Sequence, residues 1–312
     1  MKNWKRVIQN IDLILFKMIF FFFLLGIHSV RADEMSSEKY LFSFKTYKST
    51  CLLRVNDLPA IDNTTNDSGT MSAGFNLTAF LENGKNDIEL LMAPQYHKDP
   101  KTLYPDSSCE VIVTKDTETA STEIARFKLS VNEKGEITAS ESVNTANSST
   151  VFEGYTQNEQ DYGFYKVRGN LKIDSLPRWA WVNATPVTEN DLPKIKLAYT
   201  DIWMMIKDRD IEGLKKISQI SNQEMAFAEG ATTGMMFIST DFPQHVIDKN
   251  LTPAPIEWSK FRIIKYRNGR LFRLAFGFFQ NSPLKFQNSN GEGVFTYNPY
   301  FSIIDGKVTL VR

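Results

Sequence analysis

The chain has 312 residues, of which 42% are hydrophobic, and it carries 36 Lys and Arg against 36 Asp and Glu. This length suits one large domain or two smaller ones. Proteins that bind nucleic acid usually present a basic face, and the balanced charge argues against such a partner.

Residues 1–32 predict a secretory signal peptide that is removed from the mature chain. A basic segment precedes an apolar run at 18–27, and Val30-Arg31-Ala32 is a small-x-small cleavage site. The apolar run is shorter than the roughly 20 residues of a membrane anchor. An uncleaved anchor helix from Leu13 is the alternative. We therefore expect a periplasmic or secreted protein without a membrane anchor.

Removal of residues 1–32 makes the chain mildly acidic. The segment contains five of the 36 basic residues and one of the 36 acidic residues, which leaves 31 against 35 and a net charge of −4. The mature chain therefore also lacks the basic balance that nucleic-acid binding favours.

Cys51 and Cys109 are the two cysteines of the sequence. In an oxidising compartment an isolated pair is most simply a disulfide, and closing a loop of this length stabilises by about 4 kcal/mol in the chain-entropy model. Neither cysteine has a CxxC partner or a nearby His, which argues against a reactive thiol.

Residues 33–185 alternate between short apolar runs and turn residues, a pattern typical of an all-β sandwich. Asn56-Asp57 predicts a hairpin, since both residues tolerate positive φ. After Asn83-Gly84, apolar residues recur at every second position, which predicts a half-buried strand. Further strands are predicted at 40–44, 111–113, 125–131 and 165–173, and the Ser/Thr/Asn-rich stretch 140–150 is predicted to be a surface loop.

The turns of residues 51–92 follow a distinctive order. A strand ending at Val55-Asn56 is followed by a polar loop, by Gly74-Phe75-Asn76-Leu77 and by Asn83-Gly84-Lys85-Asn86-x-Ile88. This order resembles the galactose-binding-like jelly-roll domains, which have a similar G-x-N-x-I lead into a late strand. The resemblance implies a jelly-roll; an antiparallel sandwich of another topology is the alternative.

Trp179 and Trp181 form a conspicuous aromatic pair. Strand alternation places both rings on one face, where they would serve as a carbohydrate-stacking platform or a protein-binding hot spot. The alternative is that both rings belong to the core or cover a domain junction.

After a linker at 186–193, the hydrophobic period changes and predicts an α+β domain at 194–312. Apolar residues from Ile195 to Ile206 follow a helical stripe, with Asp191 as its N-cap and Pro193 in its first turn. A second helix at 211–217 and a third opened by a capping box at Ser221 and stopped by Gly230 are predicted next. Two hairpins follow, turning at Asn268-Gly269 and Asp305-Gly306.

Helices followed by long hairpins indicate helices packed on an antiparallel sheet. This element order resembles the cystatin-like cone fold of the nuclear-transport-factor-like superfamily. Members of that superfamily include enzymes and binding modules, so the resemblance leaves function open.

No motif of the sequence predicts catalysis, a metal or a cofactor. His97 and His245 lack metal-ligand spacing, and neither a nucleophile elbow nor a phosphate-binding glycine loop is present. Asp208 and Asp210 are interpreted as turn and cap residues rather than as acid–base catalysts.

The hairpin at 261–279 is rich in arginine and aromatic residues and is the second candidate binding surface. The alternative is a sheet with one core face and one solvated basic face. Together with the two tryptophans, the predicted binding residues are Arg262, Tyr266, Arg267, Arg270 and Arg273.

Three functions follow from these features. The favoured one is an exported, non-catalytic protein-binding module, which looks like the periplasmic immunity proteins that bind and neutralise secreted bacterial toxins. The first alternative is a carbohydrate-binding or envelope-attachment protein that uses an exposed Trp179–Trp181 pair. The second alternative is a small-molecule enzyme that uses a pocket in the C-terminal cone.

Overall fold

The structure, a computed structural model, describes residues 38–312, so the predicted signal peptide at 1–32 lies outside the described residues. Ten strands make up the first half: β1 (Lys39–Tyr47), β2 (Ser49–Val55), β3 (Leu58–Asp62), β4 (Met71–Asn76), β5 (Gly84–Pro94), β6 (Ser108–Asp116), β7 (Ser121–Val131), β8 (Ile137–Thr138), β9 (Ser148–Gly154) and β10 (Tyr165–Ile173). They form two five-stranded antiparallel sheets, ordered β4-β1-β6-β7-β8 and β3-β2-β5-β10-β9.

The two sheets share one hydrophobic core, as predicted for a β-sandwich. Tyr40, Phe42 and Phe44 alternate along β1 and are buried, while Leu53 and Leu90 reach the same core from the second sheet. Period-two alternation places one face of each sheet inward, which is why these sequences form strands.

The Cys51–Cys109 disulfide links β2 of one sheet to β6 of the other, with a Cα–Cα distance of 6.0 Å. Both cysteines are fully buried. The predicted pairing is therefore confirmed, and the bridge crosses the sandwich core instead of joining neighbouring strands.

The hairpin predicted at Asn56-Asp57 is confirmed, and both residues have positive φ. The loop predicted at 140–150 is confirmed for 140–147, and its last three residues begin β9, which pairs with β10. One local prediction was wrong. Trp179 precedes and Trp181 lies within a 3-10 helix, Ala180–Asn183, where the sequence pattern predicted a strand.

The helices follow in one block: α1 (Leu192–Asp208), α2 (Ile211–Ile217), α3 (Gln219–Glu229), α4 (Thr233–Ser239) and α5 (Phe242–Ile247). Asp191 does not cap α1, because its carboxylate accepts hydrogen bonds from the Thr188 amide and hydroxyl. Asp210 caps α2 at the Gly213 amide, and Gly230 ends α3 in the left-handed conformation. Ser221 lies inside α3, so the capping box predicted there was wrong.

Seven strands complete the chain: β11 (Thr252–Pro253), β12 (Arg262–Tyr266), β13 (Leu271–Ala275), β14 (Leu284–Gln287), β15 (Gly293–Tyr297), β16 (Phe301–Ile304) and β17 (Lys307–Leu310). They form a sheet ordered β12-β13-β16-β17 and a sheet ordered β11-β14-β15. The turns at Asn268-Gly269 and Asp305-Gly306 are confirmed. The β14–β15 hairpin and the helices α4 and α5 were not predicted.

The helices pack on the four-stranded sheet through a second core. Ile195, Tyr199 and Ile202 of α1 meet Phe272 and Leu274 of β13 there. The first core also continues into the second half, because Ala228, Tyr266, Leu271 and Val311 pack with the sandwich residues. The described residues fall within one compact unit. The boundaries proposed at 33–185, 186–193 and 194–312 stay predictions.

Replacing both Cys51 and Cys109 with Ala is expected to lower the free energy of unfolding by about 4 kcal/mol, because the bridge closes a loop across 58 residues. Urea unfolding followed by tryptophan fluorescence measures this loss. Wild-type protein unfolded under reducing conditions is the matched control and should lose a similar amount. An unchanged midpoint in both would contradict the assigned role.

Candidate functional site

A cleft of about 800 Å³ lies between the loop that precedes β10 and the end of the β12–β13 hairpin. We call it the aromatic cleft. One wall is formed by Gln157, Asn158, Glu159, Gln160 and Tyr162, and the other by Lys260, Arg262, Ala275, Phe276, Gly277 and Phe278. Its two walls therefore come from opposite halves of the sequence.

The first wall is fixed by a buried charge cluster around Asp161. This fully buried carboxylate lies 2.6 Å from Nη1 of Arg54 and 2.7 Å from Nζ of Lys166. Both cations also reach Glu89, at 3.4 Å and 3.3 Å. Arg54 donates in addition to the Gln160 carbonyl. The wall is thus tied to β2, β5 and β10.

Asp161 stays ionised at neutral pH. Burial raises the pKa of this carboxyl, but hydrogen bonds from Lys166, Thr156 and Arg54 outweigh the burial and hold the pKa below its ordinary value. The Asp161 carboxylate therefore stays paired with the cations of Arg54 and Lys166 in the folded protein.

The second wall presents aromatic rings on a tight turn. The Phe276 and Asn281 backbones pair with each other, so the intervening residues project from the sheet. Phe276 is 55% exposed and Phe279 is 51% exposed. Phe278 instead turns inward and contacts the Tyr162 ring at a centroid distance of 4.5 Å, which joins the two walls at one point.

Arg262 supplies the available positive charge of the cleft. It lies opposite Ala275 in the β12–β13 pair and is exposed. Within the described range 38–312, no carboxylate forms an ion pair with Arg262, whereas Lys260 pairs with Glu257 at 2.7 Å. Among the five arginine and tyrosine residues predicted as binding residues, Arg262 is the one that lines the cleft.

Arg267 and Arg270 lie at the other end of the same hairpin and face the sandwich. Both form ion pairs with Glu82, and the Arg270 contacts measure 2.6 and 2.8 Å. Arg267 also donates to the Asn56 side chain at 2.9 Å. Burial beside Arg270 lowers the pKa of Arg267 to about 10, which leaves it charged at neutral pH.

Tyr266 and Arg273 are also inside the protein. Arg273 is 4% exposed, and its guanidinium lies over the Tyr300 ring at 4.6 Å and the Tyr266 ring at 6.0 Å. The Tyr266 hydroxyl donates to the Gln280 side chain, and burial raises the pKa of that tyrosine. These two residues support the turn that carries Phe276 and Phe279.

Trp179 and Trp181 are 3% and 0% exposed. Their indole N–H groups donate to the carbonyls of Leu81 and Ala79, at 2.7 and 3.3 Å. They fill the junction between the sandwich and the second half of the chain, as the alternative interpretation of the pair held. Neither ring is available for stacking on a sugar.

No group of three or more His, Cys, Asp or Glu side chains within residues 38–312 is arranged to hold a metal ion. His245 stacks on Phe295 at 4.1 Å and His97 lies 6.1 Å from the Phe164 ring. Asp210 caps a helix, as predicted. The described part of the chain contains no helix that is long and apolar enough to cross a membrane.

No protein-family model, no curated protein and no solved structure matches this chain. The resemblances to the jelly-roll and cone folds therefore stay predictions, and the shown architecture is a set of antiparallel sheets with a helical segment in the second half.

The loop at 157–162 was not predicted as part of a site. Its sequence gives one signal, because the aromatic Tyr162 interrupts a polar stretch after β9. The partner of that ring, Phe278, is more than a hundred residues away along the chain.

Replacing Glu82 with Gln is expected to cost about 2 kcal/mol of unfolding free energy, because it leaves two partly buried guanidinium groups without a counter-charge. Urea unfolding at pH 7 measures the change. Glu189→Gln is the control: its ion pair with Lys265 is exposed, so a loss of about 0.3 kcal/mol is expected. Equal losses in the two variants would contradict the role of Glu82.

Replacing Asp161 with Asn is expected to destabilise the protein at pH 7 by about 3 kcal/mol. The pKa of Asp161 is lower in the folded than in the unfolded protein. The contribution of its carboxylate to the free energy of unfolding is therefore present above about pH 4 and is lost as the pH falls further. The difference between wild type and variant should therefore shrink below about pH 4.

Urea midpoints from pH 7 to pH 2.5 test this dependence on Asp161. Asp106→Asn, which removes an exposed pair with Lys48, is the control and should leave the midpoint nearly unchanged throughout. A difference between wild type and Asp161→Asn that stays constant with pH would rule out loss of the charge as the cause.

Proposed function

We propose that this chain is an exported, non-catalytic protein that binds a protein partner in the aromatic cleft. The observation that carries the proposal is the exposed ring of Phe276, which lines the cleft beside the unpaired Arg262, together with the exposed ring of Phe279 on the same turn at the edge of the cleft. Export is supported by the basic and apolar pattern of residues 1–32 and by the buried disulfide.

Aromatic side chains and arginine are enriched in the energetically dominant centres of protein interfaces. Each exposed ring leaves apolar area in water, and a partner that covers it recovers about 25 cal/mol for each Å². Because the rings project from a supported turn, binding would order few additional side chains.

Arg262 on the second wall favours a partner segment that combines an acidic group with apolar side chains, and Glu159 on the first wall directs that acidic group to the second wall. Arg262 has no counter-charge in the described chain, and opposite charge on a partner would fix its register and speed its association. A secreted toxin that is neutralised by this contact, as by an immunity protein, is the specific partner that we propose.

Carbohydrate binding on a tryptophan platform is not retained, since Trp179 and Trp181 are buried. No described group of titratable side chains favours the enzyme alternative.

Tagged protein starting at Asp33 is expected to retain one stoichiometric partner from envelope and secreted fractions of its source cells, identified by mass spectrometry. Replacing both Phe276 and Phe279 with Ala should weaken binding about a hundredfold, since interface aromatics of this kind contribute about 1–2 kcal/mol each. Tyr47→Ala removes an exposed ring elsewhere and serves as the control.

The toxin assignment requires that the captured protein lose its activity on binding. Equal capture by wild type and the Phe276/Phe279 variant would contradict the assigned surface. Recovery of no specific protein would contradict the function itself.

A further inference from the structure

The outer face of the second sandwich sheet carries a polar platform that the aromatic cleft does not use. The loop that holds Asp161 covers one end of this face, where Phe164 packs on Leu91. At the other end, three cross-strand rows of side chains on β9, β10 and β5 remain accessible.

Register defines the three rows, because directly opposite residues in antiparallel strands point to the same face. The first row is Phe152, Arg168 and Glu89, the second is Ser149, Asn170 and Asp87, and the third is Lys172 and Lys85.

The third row places two like charges side by side. Lys85 and Lys172 are both exposed, and within residues 38–312 neither forms an ion pair. Like charges directly opposite each other on a sheet are destabilising. An anionic ligand between the two ammonium groups would turn this repulsion into attraction.

Lys85 separates two hollows of the surface. One, of about 450 Å³, is lined by Val151, Phe152, Thr156 and the cations Lys166 and Arg168 in addition to Lys85. The other, of about 440 Å³, adds Lys172, Asn170 and hydroxyl groups such as those of Ser148 and Ser149. No carboxylate lines either hollow.

The middle of the platform has polar atoms that lack partners. Nε of Arg168, Oδ1 of Asn170 and Oδ1 of Asp87 are buried, and none has a hydrogen-bond partner among the described residues. Oδ1 of Asp87 lies 3.3 Å from Nη2 of Arg168 and forms an ion pair with it. A buried polar group without a partner is costly. The hydroxyl groups of a ligand can accept a hydrogen bond from a guanidinium and donate one to an amide or carboxylate oxygen, whereas a simple anion only accepts.

Charge also favours an anion here. The face carries Arg54, Lys85, Lys166, Arg168 and Lys172 against Asp62, Asp87, Glu89 and Asp161, an excess of one positive charge. The whole chain from residue 33 onward has a net charge of −4. The platform is therefore locally opposite in sign to the protein that contains it.

We propose that this platform binds a phosphorylated saccharide. Lys85 and Lys172 hold the phosphate, Arg168 and Asn170 bond the hydroxyl groups, and the exposed ring of Phe152 covers an apolar sugar face. Arg168 and Lys172 lie four residues apart on β10, which at about 3.3 Å per residue separates the first and third rows by about 13 Å. This span fits a phosphate followed by two sugar units. The proposal does not depend on the protein-binding role of the cleft.

Calorimetric titration of the mature protein with four probes tests the proposal: trehalose 6-phosphate, glucose 6-phosphate, trehalose and inorganic phosphate. We expect saturable binding of trehalose 6-phosphate, at least tenfold tighter than binding of trehalose or inorganic phosphate. Equal affinity for inorganic phosphate, or no saturable binding of either sugar phosphate, would overturn it.

Variants locate the site. Lys85→Gln with Lys172→Gln should weaken trehalose 6-phosphate binding at least tenfold and, without ligand, should not lower the melting temperature, because the like-charge pair is removed. Lys101→Gln with Lys307→Gln, which replaces two exposed lysines elsewhere, should leave binding unchanged. Unchanged binding in the Lys85/Lys172 variant, at an unchanged melting temperature, would contradict the assignment.

A second experiment distinguishes a sugar phosphate that belongs to the cell envelope from one that is free in solution. Retention of wild type, but not of the Lys85/Lys172 variant, on immobilised phosphate-bearing lipopolysaccharide assigns an envelope-bound saccharide. Saturable binding of the soluble sugar phosphate without such retention assigns a free one. Retention of both proteins alike on the immobilised polymer would count against the platform.

Discussion

The ion pairs of Glu82 with Arg267 and Arg270 fix how the second half of the chain meets the sandwich. Glu82 precedes β5, and both arginines lie at the turn of the β12–β13 hairpin. A buried carboxylate and two partly buried cations tolerate little displacement, because each charge depends on the others for compensation. The far end of that hairpin, with Arg262 and Phe276, lies opposite the loop at 157–162, and the Phe278–Tyr162 contact joins the two walls there.

The arginine and aromatic residues of the β12–β13 hairpin thus have two different roles, one inside the protein and one at its surface. Arg267, Arg270 and Arg273 contact carboxylates, carbonyls or aromatic rings inside the protein, whereas Arg262 remains open to a partner. Burial of Tyr266 beneath the turn supports the presentation of Phe276 and Phe279. The surface that remains for binding is therefore smaller and more aromatic than the composition of the hairpin indicates.

Local chemistry was sufficient to predict the turns and most strands. Asn56-Asp57 and Asn268-Gly269 have the positive φ angles that their residue types tolerate, and the helical stripe of Ile195 to Ile206 lies on a buried face. The sequence left open whether Trp179 is buried or exposed, because its indole N–H donates to the carbonyl of Leu81, which lies 98 residues away along the chain. Likewise, the Arg270–Glu82 pair spans 188 residues, and no local pattern distinguishes an arginine with such a partner from the open Arg262.

Differential scanning calorimetry of the mature protein tests most directly whether the sandwich and the second half form one body around Glu82. The shared core and the ion pairs of Glu82 predict a single transition whose calorimetric and van't Hoff enthalpies agree. Two resolved transitions, with the Glu82→Gln variant shifting neither of them, would contradict the account, because the two walls of the cleft would then belong to independently folding parts.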